Sequence, residues 1–361
     1  MLRVAAAIAA GIVVSALVLA ARGHDTRAID TRLVAEDASA PLRRLAIHYA
    51  PISDAEALPV YEQLLRALPA SVEVVVEVAT AADYDRFVRL LGAGQLARLR
   101  SVVVGHPITT WSRDRYAALV DRDGGGSILA PPRLETPITE RAGDMHSPDA
   151  ISQALYGRAP RYADFAFEGG DLAATPRYVF ADANLVSRNA GRGPGRIAIE
   201  RELGHRLGQE VVWLGDALGD VPRHHIMMYL VPLDDHTVAV GDVRAGAALL
   251  TTPLALDDLE LQAARFDRAA ALVAARGFRV IRVPALVLAG AGSFVTYTNA
   301  LFDRRGDTRI VYLPTYALPA LDAAGIAFWR AQGFEVYPID VSTIYERNGS
   351  LGCLVNVLAR H

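Results

Sequence analysis

Apolar stretches of strand length alternate with amphipathic stretches of helix length over residues 44–104 and again from 197 to the C-terminus. Leu45–Ile52 predicts a strand, Asp54–Leu68 a helix with apolar residues at helical spacing, and Val72–Val78 a strand. Ala81–Leu99 reads mainly as helix and Val102–Val104 as a further strand. Later, helix is expected at 197–210, 259–276 and 321–332, and strands at 211–214, 278–288, 293–302, 309–313 and 334–339. Such alternation excludes all-α and all-β architectures and leaves α/β. Sheet pieces with intervening helices return roughly every 60–70 residues without a clean sequence repeat. That recurrence suits modules set around a centre, and a doubly wound sheet fits the periodicity equally well.

Between these regions the pattern loosens. Residues 122–160 read as hairpins and a long surface loop, and 222–243 as a β-hairpin with His224 and His225 at its entry. Hydrophobic content of 52% with 21% charged residues describes a globular chain with a sizeable core. A net charge of −3 without a long basic run gives no reason to expect nucleic-acid binding. Arg3 followed by the apolar run Val4 to Ala21 reads as a secretory signal or an uncleaved anchor over residues 1–24. The expected location is therefore exported, either periplasmic or tethered to the inner membrane, with membrane contact only through residues 1–24 if they are retained. Residues 25–43 are read as a linker and 44–361 as one domain.

Four segments each place one polar residue in an apolar or Gly-rich setting: Asp114, Glu168, His225 and Cys353. Cys353 is the single cysteine, so no internal disulfide can form. It lies where the Gly349 to Gly352 loop feeds a final buried strand. A lone cysteine is often a small buried hydrophobe. A cysteine, a histidine and carboxylates on separate segments are also what thiol chemistry on a cationic substrate requires. The thiolate is the nucleophile, histidine moves the proton, and carboxylates hold a guanidinium through paired hydrogen bonds. A His224–His225 metal site has no third ligand at a recognisable spacing, phosphate-loop and dinucleotide fingerprints are absent, and no G-x-S-x-G elbow occurs. No metal and no cofactor are expected.

In their order these segments resemble the guanidino-group-modifying superfamily, in the branch of agmatine deiminases and bacterial-type peptidylarginine deiminases. The resemblance rests on Trp111-Ser112-Arg113-Asp114, Glu168-Gly169-Gly170, His225-Ile226-Met227, Tyr297-Thr298-Asn299 and the Gly349 to Cys353 loop. It implies a five-bladed α/β propeller of the pentein-like kind. It implies Cys353 as nucleophile, His225 as general acid/base, Asp114 as guanidinium clamp and Asn299 as a positioning residue. Trp111, Arg113, Glu168, Gly169, Gly170 and Asp171 would form or support the substrate site. The implied reaction is hydrolytic deimination of a small guanidino compound or an arginine-containing peptide through a covalent thiouronium, without metal or cofactor.

Three departures qualify this. Met227 stands where the family has a second clamp carboxylate, Gly352 replaces the residue that commonly precedes the cysteine, and Arg115-Tyr116-Ala117 replaces a Gly-Pro. Asp171 or Asp216 would be the substitute carboxylates. An amidinotransferase and a non-catalytic propeller that binds a guanidino ligand or an envelope partner are the alternatives.

Overall fold

The computed structural model describes residues 31–92, 97–132, 139–191, 193–290 and 292–360. The expected signal or anchor at residues 1–24 lies outside them. Among the described residues no helix is long and apolar enough to cross a membrane.

One unit of structure recurs five times among the described residues. Each unit sets a strand antiparallel to the next strand of its sheet, and a helical crossover then leads to a parallel neighbour. Val355–Arg360 lies antiparallel to Leu42–Tyr49, and helix Asp54–Ala67 leads to the parallel strand Glu73–Val78. Ala117–Asp121, Gly126–Ala130 and Arg161–Tyr162 repeat this through helix Ser147–Tyr156. Ala173–Ala174, Tyr178–Asp182 and Glu210–Leu214 do so through Ala183–Arg188 and Arg196–Arg206. The fourth unit is Leu230–Pro232, Thr237–Asp242 and Arg279–Val287, and the fifth Leu301–Arg305, Thr308–Thr315 and Phe334–Asp340. The outcome is five mixed sheets of three or four strands, so the expected α/β class holds. The last strand, Val355–Arg360, pairs with Leu42–Tyr49 and so joins the first of these units to the last.

Local sequence explains the units. Helix Asp54–Ala67 buries Ala57, Val60, Tyr61, Leu64 and Leu65, the i, i+3, i+4, i+7, i+8 stripe of a helix with one face on a sheet. Strands Glu73–Val78 and Thr237–Asp242 are almost wholly buried, as parallel strands covered on both faces must be.

Three expectations change. Residues 31–43 are not a linker: Thr31–Leu33 pairs with Leu119–Asp121, and Val34 to Ala38 pack against the domain. The polar, Ala-rich sequence conceals this because the segment is held through its backbone. The Arg360 guanidinium donates to Ala35 O at 2.6 Å and to Ala40 O at 2.9 Å. The helix begun at Ala81 ends at Leu91, and Leu99–Val103 is a strand. Within 122–160, read as hairpins and loop, lies helix Ser147–Tyr156, with Pro148 in its first turn and Gly157 left-handed (φ 64°) at its end. Pro early and Gly late are the expected terminal signals, but ten residues between polar flanks show too short a stripe.

Candidate active site

Every residue of the candidate constellation lies on a passage from one sheet to the next. Asp114 ends the 3-10 turn Ser112–Asp114, between Leu99–Val103 and Ala117–Asp121. Glu168 precedes the turn Gly169–Asp171, between Arg161–Tyr162 and Ala173–Ala174. His225 precedes the turn Ile226–Met228, Asn299 lies between Phe294–Thr296 and Leu301–Arg305, and Cys353 sits in the single turn Leu351–Leu354. Asp114, Glu168, His225 and Cys353 line one cleft of about 520 Å³, within the usual range for a small-molecule site.

Glycine makes the convergence possible. A Cβ on Gly170 would lie 2.4 Å from the His225 ring, and one on Gly169 2.2 Å from Arg113 O and 2.5 Å from Tyr116 O. The Glu-Gly-Gly turn is thus pressed between the passage that carries Asp114 and the ring of His225. Gly349 allows Trp111 a similar approach, since its Cβ would meet the indole at 2.1 Å. The backbone N–H of Glu168 donates to Asp171 Oδ2 at 2.7 Å, which closes the turn.

His225 is the hub. Its Nε2 lies 2.9 Å from Glu168 Oε2, and its Nδ1 lies 3.9 Å from Asp114 Oδ1. Burial opposes charge on this ring, but the Cys353 thiol, Glu168 and Asp114 together outweigh it and hold its pKa well above 6.5. Nδ1 and the facing Asp114 Oδ1 are buried without a strict hydrogen-bond partner. Loose geometry of this kind is expected where a ligand completes the contacts. For Glu168, burial is likewise the largest influence and would raise the pKa. The hydrogen bond and charge of His225, with Arg188 and Arg141, reverse it and hold the carboxyl well below its ordinary range. Asp114 is pushed up by burial and by Glu168, against His225 and Arg141.

His224 has the opposite character. His225 N–H donates to His224 Nδ1 at 2.8 Å, so the His224 proton is on Nε2 and points to Asn348 O at 3.0 Å. Burial and the neighbouring His225 charge push its pKa down to about 3, and the ring is neutral. On a regular strand two adjacent histidines would face opposite sides. The expected strand opening at His225 is instead a turn, and both rings line the cleft.

The thiol lies deeper. Cys353 is 3% exposed, with Asn299 Nδ2 at 3.6 Å and the Met228 sulfur at 3.9 Å from Sγ. Gly352 N–H donates to Asn299 O at 3.2 Å, which ties the two passages together. A Cβ on Gly352 would meet Asn299 Oδ1 at 2.9 Å, so glycine before the cysteine lets the amide sit against the thiol.

Other expected residues have different surroundings. Arg113 is buried, paired with Glu36 at 2.6 Å and donating to Leu172 O at 3.1 Å, and it braces the fold away from the cleft. Asp171 lines the cleft but is taken by Arg188, at 2.8 Å to Oδ2 and 3.2 Å to Oδ1. Asp216 is exposed and paired with Arg196 away from the cleft. Neither supplies a free second clamp carboxylate. Met227 is buried in the core, and its carbonyl accepts from Thr298 Oγ1 at 2.8 Å.

Sequence reasoning missed the arginines. The Arg141 guanidinium contacts Asp114 Oδ2 and lies 3.4 Å from Glu168 Oε1, while Arg188 reaches Glu168 Oε2 at 3.0 Å. No motif marks either residue. One ligand atom each from Asp114, Glu168 and His225 lie within 4.8 Å of one another, close enough to share a divalent cation. The two carboxylates already hold guanidinium counter-ions, which a cation at this place would have to displace.

No protein-family model and no curated protein matches the chain. Among solved structures, the agmatine deiminase of C. jejuni with substrate bound is similar at a TM-score of 0.68 and 15% identity, over 92% of this chain and 97% of that one. The agmatine deiminase of Enterococcus faecalis is similar at 0.66 and 14%, over 92% and 96%. The chain shares the α/β, pentein-like fold of these proteins, in keeping with the resemblance read from its motifs.

Proposed function

We propose that this protein hydrolyses a guanidino group, with Cys353 as nucleophile and His225 as general acid/base. The observation that carries the reading is the convergence of Asp114, Glu168, His225 and the only cysteine, Cys353, from four separate passages on one cleft. An imidazolium beside a cysteine stabilises the thiolate. Asp114 and Glu168 present carboxylate oxygens to a guanidinium, and Asn299 Nδ2 supports the sulfur. The thiolate attacks the guanidinium carbon and ammonia leaves with a proton from His225. Water, deprotonated by the same ring, then cleaves the C–S bond, giving a urea and restoring the thiol. The five recurring units support a five-bladed propeller with the cleft at its centre, and the Val4 to Ala21 run supports export.

The test is ammonia and ureido-product release from a panel of guanidino compounds by the purified protein and its Cys353→Ser variant. Release by the first and none by the second is expected. Equal release from both would remove Cys353 from the chemistry. One observation favours a second reading, a ligand-binding protein without turnover: Arg141 already occupies the carboxylates, and Met227 supplies no second clamp. Binding of a guanidino compound without any ammonia release would select it.

A further inference from the structure

Residues 45–49 and 74–78 are buried throughout, yet one stretch contains His48 and the other Glu77. The two are register partners on the parallel strands Leu42–Tyr49 and Glu73–Val78, and both are fully buried. His48 Nε2 lies 3.4 Å from Glu77 Oε1, an approach of charges rather than a strict hydrogen bond. Burial opposes charge on the ring, but Glu77, Asp144 and the Thr109 carbonyl outweigh it and hold the His48 pKa above 6.5. Exchanging a buried ion pair for well-packed apolar residues is often neutral or stabilising, so stability alone gives no reason for this one.

Neither residue lines the cleft. Their contacts go to the passage between Leu99–Val103 and Ala117–Asp121, which carries Asp114. His48 Nδ1 donates to Thr109 O at 3.0 Å, and the Tyr116 hydroxyl donates to Glu77 Oε1 at 2.6 Å. Asp114 lies between these two holds, in a turn where the Ser112 hydroxyl also donates to Ala46 O at 3.3 Å. The Tyr61 hydroxyl adds a link, donating to His48 O at 2.8 Å and meeting Thr110 Oγ1 at 2.8 Å. Thr109 passes the hold on. Its N–H and hydroxyl donate to Asp144, both at 2.6 Å, in the segment Thr139–His146 whose Arg141 meets Asp114. The Tyr116 carbonyl has a separate partner in Asn356 Nδ2 at 2.9 Å, so losing the pair would shift the passage without freeing it.

We infer that His48 and Glu77 are positioning residues for Asp114, holding its passage at Thr109 on one side and at Tyr116 on the other. They touch no ligand and act through the placement of that one carboxylate at the cleft. The inference rests on the guanidino reading of the site, in which Asp114 meets the ligand's cation.

The test compares alkylation of Cys353 in the full chain by chloroacetamidine and by chloroacetamide, probes of one shape that differ in charge, each rate divided by that of a free thiol. The ratio of the two reads how well the cleft holds a cation at the sulfur, and Asp114→Asn should lower it by at least about tenfold. Glu77→Met and His48→Phe should each lower it by at least about fivefold, with chloroacetamide labelling within about threefold of the parent. Glu77→Gln keeps an oxygen for the Tyr116 hydroxyl and should retain most of the ratio. Added to Asp114→Asn, Glu77→Met should remove little more, because both losses run through one carboxylate. His48→Phe together with Glu77→Met leaves no unpaired charge, and should melt within a few degrees of the parent and still lose the ratio. Tyr116→Phe removes a single oxygen, and should lower the ratio by at least about twofold even if the larger changes unfold the chain. A ratio unmoved by these substitutions, losses that multiply with that of Asp114→Asn, or equal slowing of both probes would overturn the inference and leave the guanidino reading standing. A parent ratio no higher than that of a free thiol would overturn the guanidino reading and this inference with it.

Discussion

The wall of the cleft formed by Asp114, Glu168 and Asp171 carries its charge in pairs, with Arg141 and Arg188 set against it. On the other wall, the Cys353 sulfur has the Asn299 amide and the Met228 thioether beside it. Among the described residues, His225 is the cationic side chain set beside this sulfur. What holds His225 protonated comes from both walls, the Cys353 thiol on one and Glu168 with Asp114 on the other. His225 thus joins the two walls, with carboxylates on one side of the ring and the sulfur of the proposed nucleophile on the other.

The largest test of this division moves the hub while leaving the polar side chains of both walls in place. Gly170→Ala would drive a Cβ into the His225 ring, where only 2.4 Å is available. A displacement of about an ångström at a catalytic group costs on the order of 100-fold. Turnover of the best substrate should fall by at least that factor, while the melting temperature changes far less than with Gly169→Ala. The Gly169 substitution meets backbone oxygens that cannot move aside. Comparable activity in Gly170→Ala and the parent would show that the ring position is not critical.

Glu168→Gln weakens the charged wall alone. It removes a carboxylate that holds the imidazolium, a loss of about 1.5–3 kcal/mol for a charged hydrogen bond, or roughly 10–100-fold in rate. The pH profile gives the direction. Activity that needs protonated His225 is lost as pH rises through its raised pKa, so removing Glu168 should shift the alkaline limb to lower pH. The same linkage means His225 contributes stability that is fully present below 6.5 and lost as pH rises through the raised value. An alkaline limb unmoved in Glu168→Gln would separate the two walls energetically.

The smallest effect is on stability. Neutral His224 has its pKa depressed to about 3, so between 6.5 and about 3 the unfolded chain binds a proton that the folded chain does not. Unfolding free energy should therefore fall as pH drops through that window, by up to about 1.4 kcal/mol per pH unit. His224→Gln should lose that part of the slope in denaturant titrations at a series of pH values. An identical slope would place the His224 ring in water.

The thiol and the carboxylates were legible in the sequence, and the arginines set against those carboxylates were not. Cys353 is the lone cysteine in a Gly-bracketed loop, and Glu168-Gly169-Gly170 declares a close approach through its glycines. The alternation of strands and helices gave the class and left the sheet-to-sheet passages as the irregular segments where site residues lie. Arg141 carried no such mark. Its position depends on Gly143 meeting Pro107 and on Asp144 meeting Thr109, contacts between residues 36 and 35 apart. Periodicity reports which face of an element is buried, and it is silent about a side chain that leaves one irregular segment to neutralise another. Arg113 shows the converse. It sits inside a recognisable motif, yet its charge is spent on Glu36, in a segment that composition presented as linker.

The most direct test is alkylation of the full chain by chloroacetamidine, followed by intact mass, with iodoacetamide as the neutral control. The amidine presents a cation to Asp114 and Glu168 while its carbon meets Cys353. The account predicts one fast label on Cys353, faster than with iodoacetamide, slowed by at least about tenfold in Asp114→Asn and Glu168→Gln. Labelling no faster than by iodoacetamide, or unaffected by either substitution, would contradict it, because the charged wall would then have no hold on the thiol.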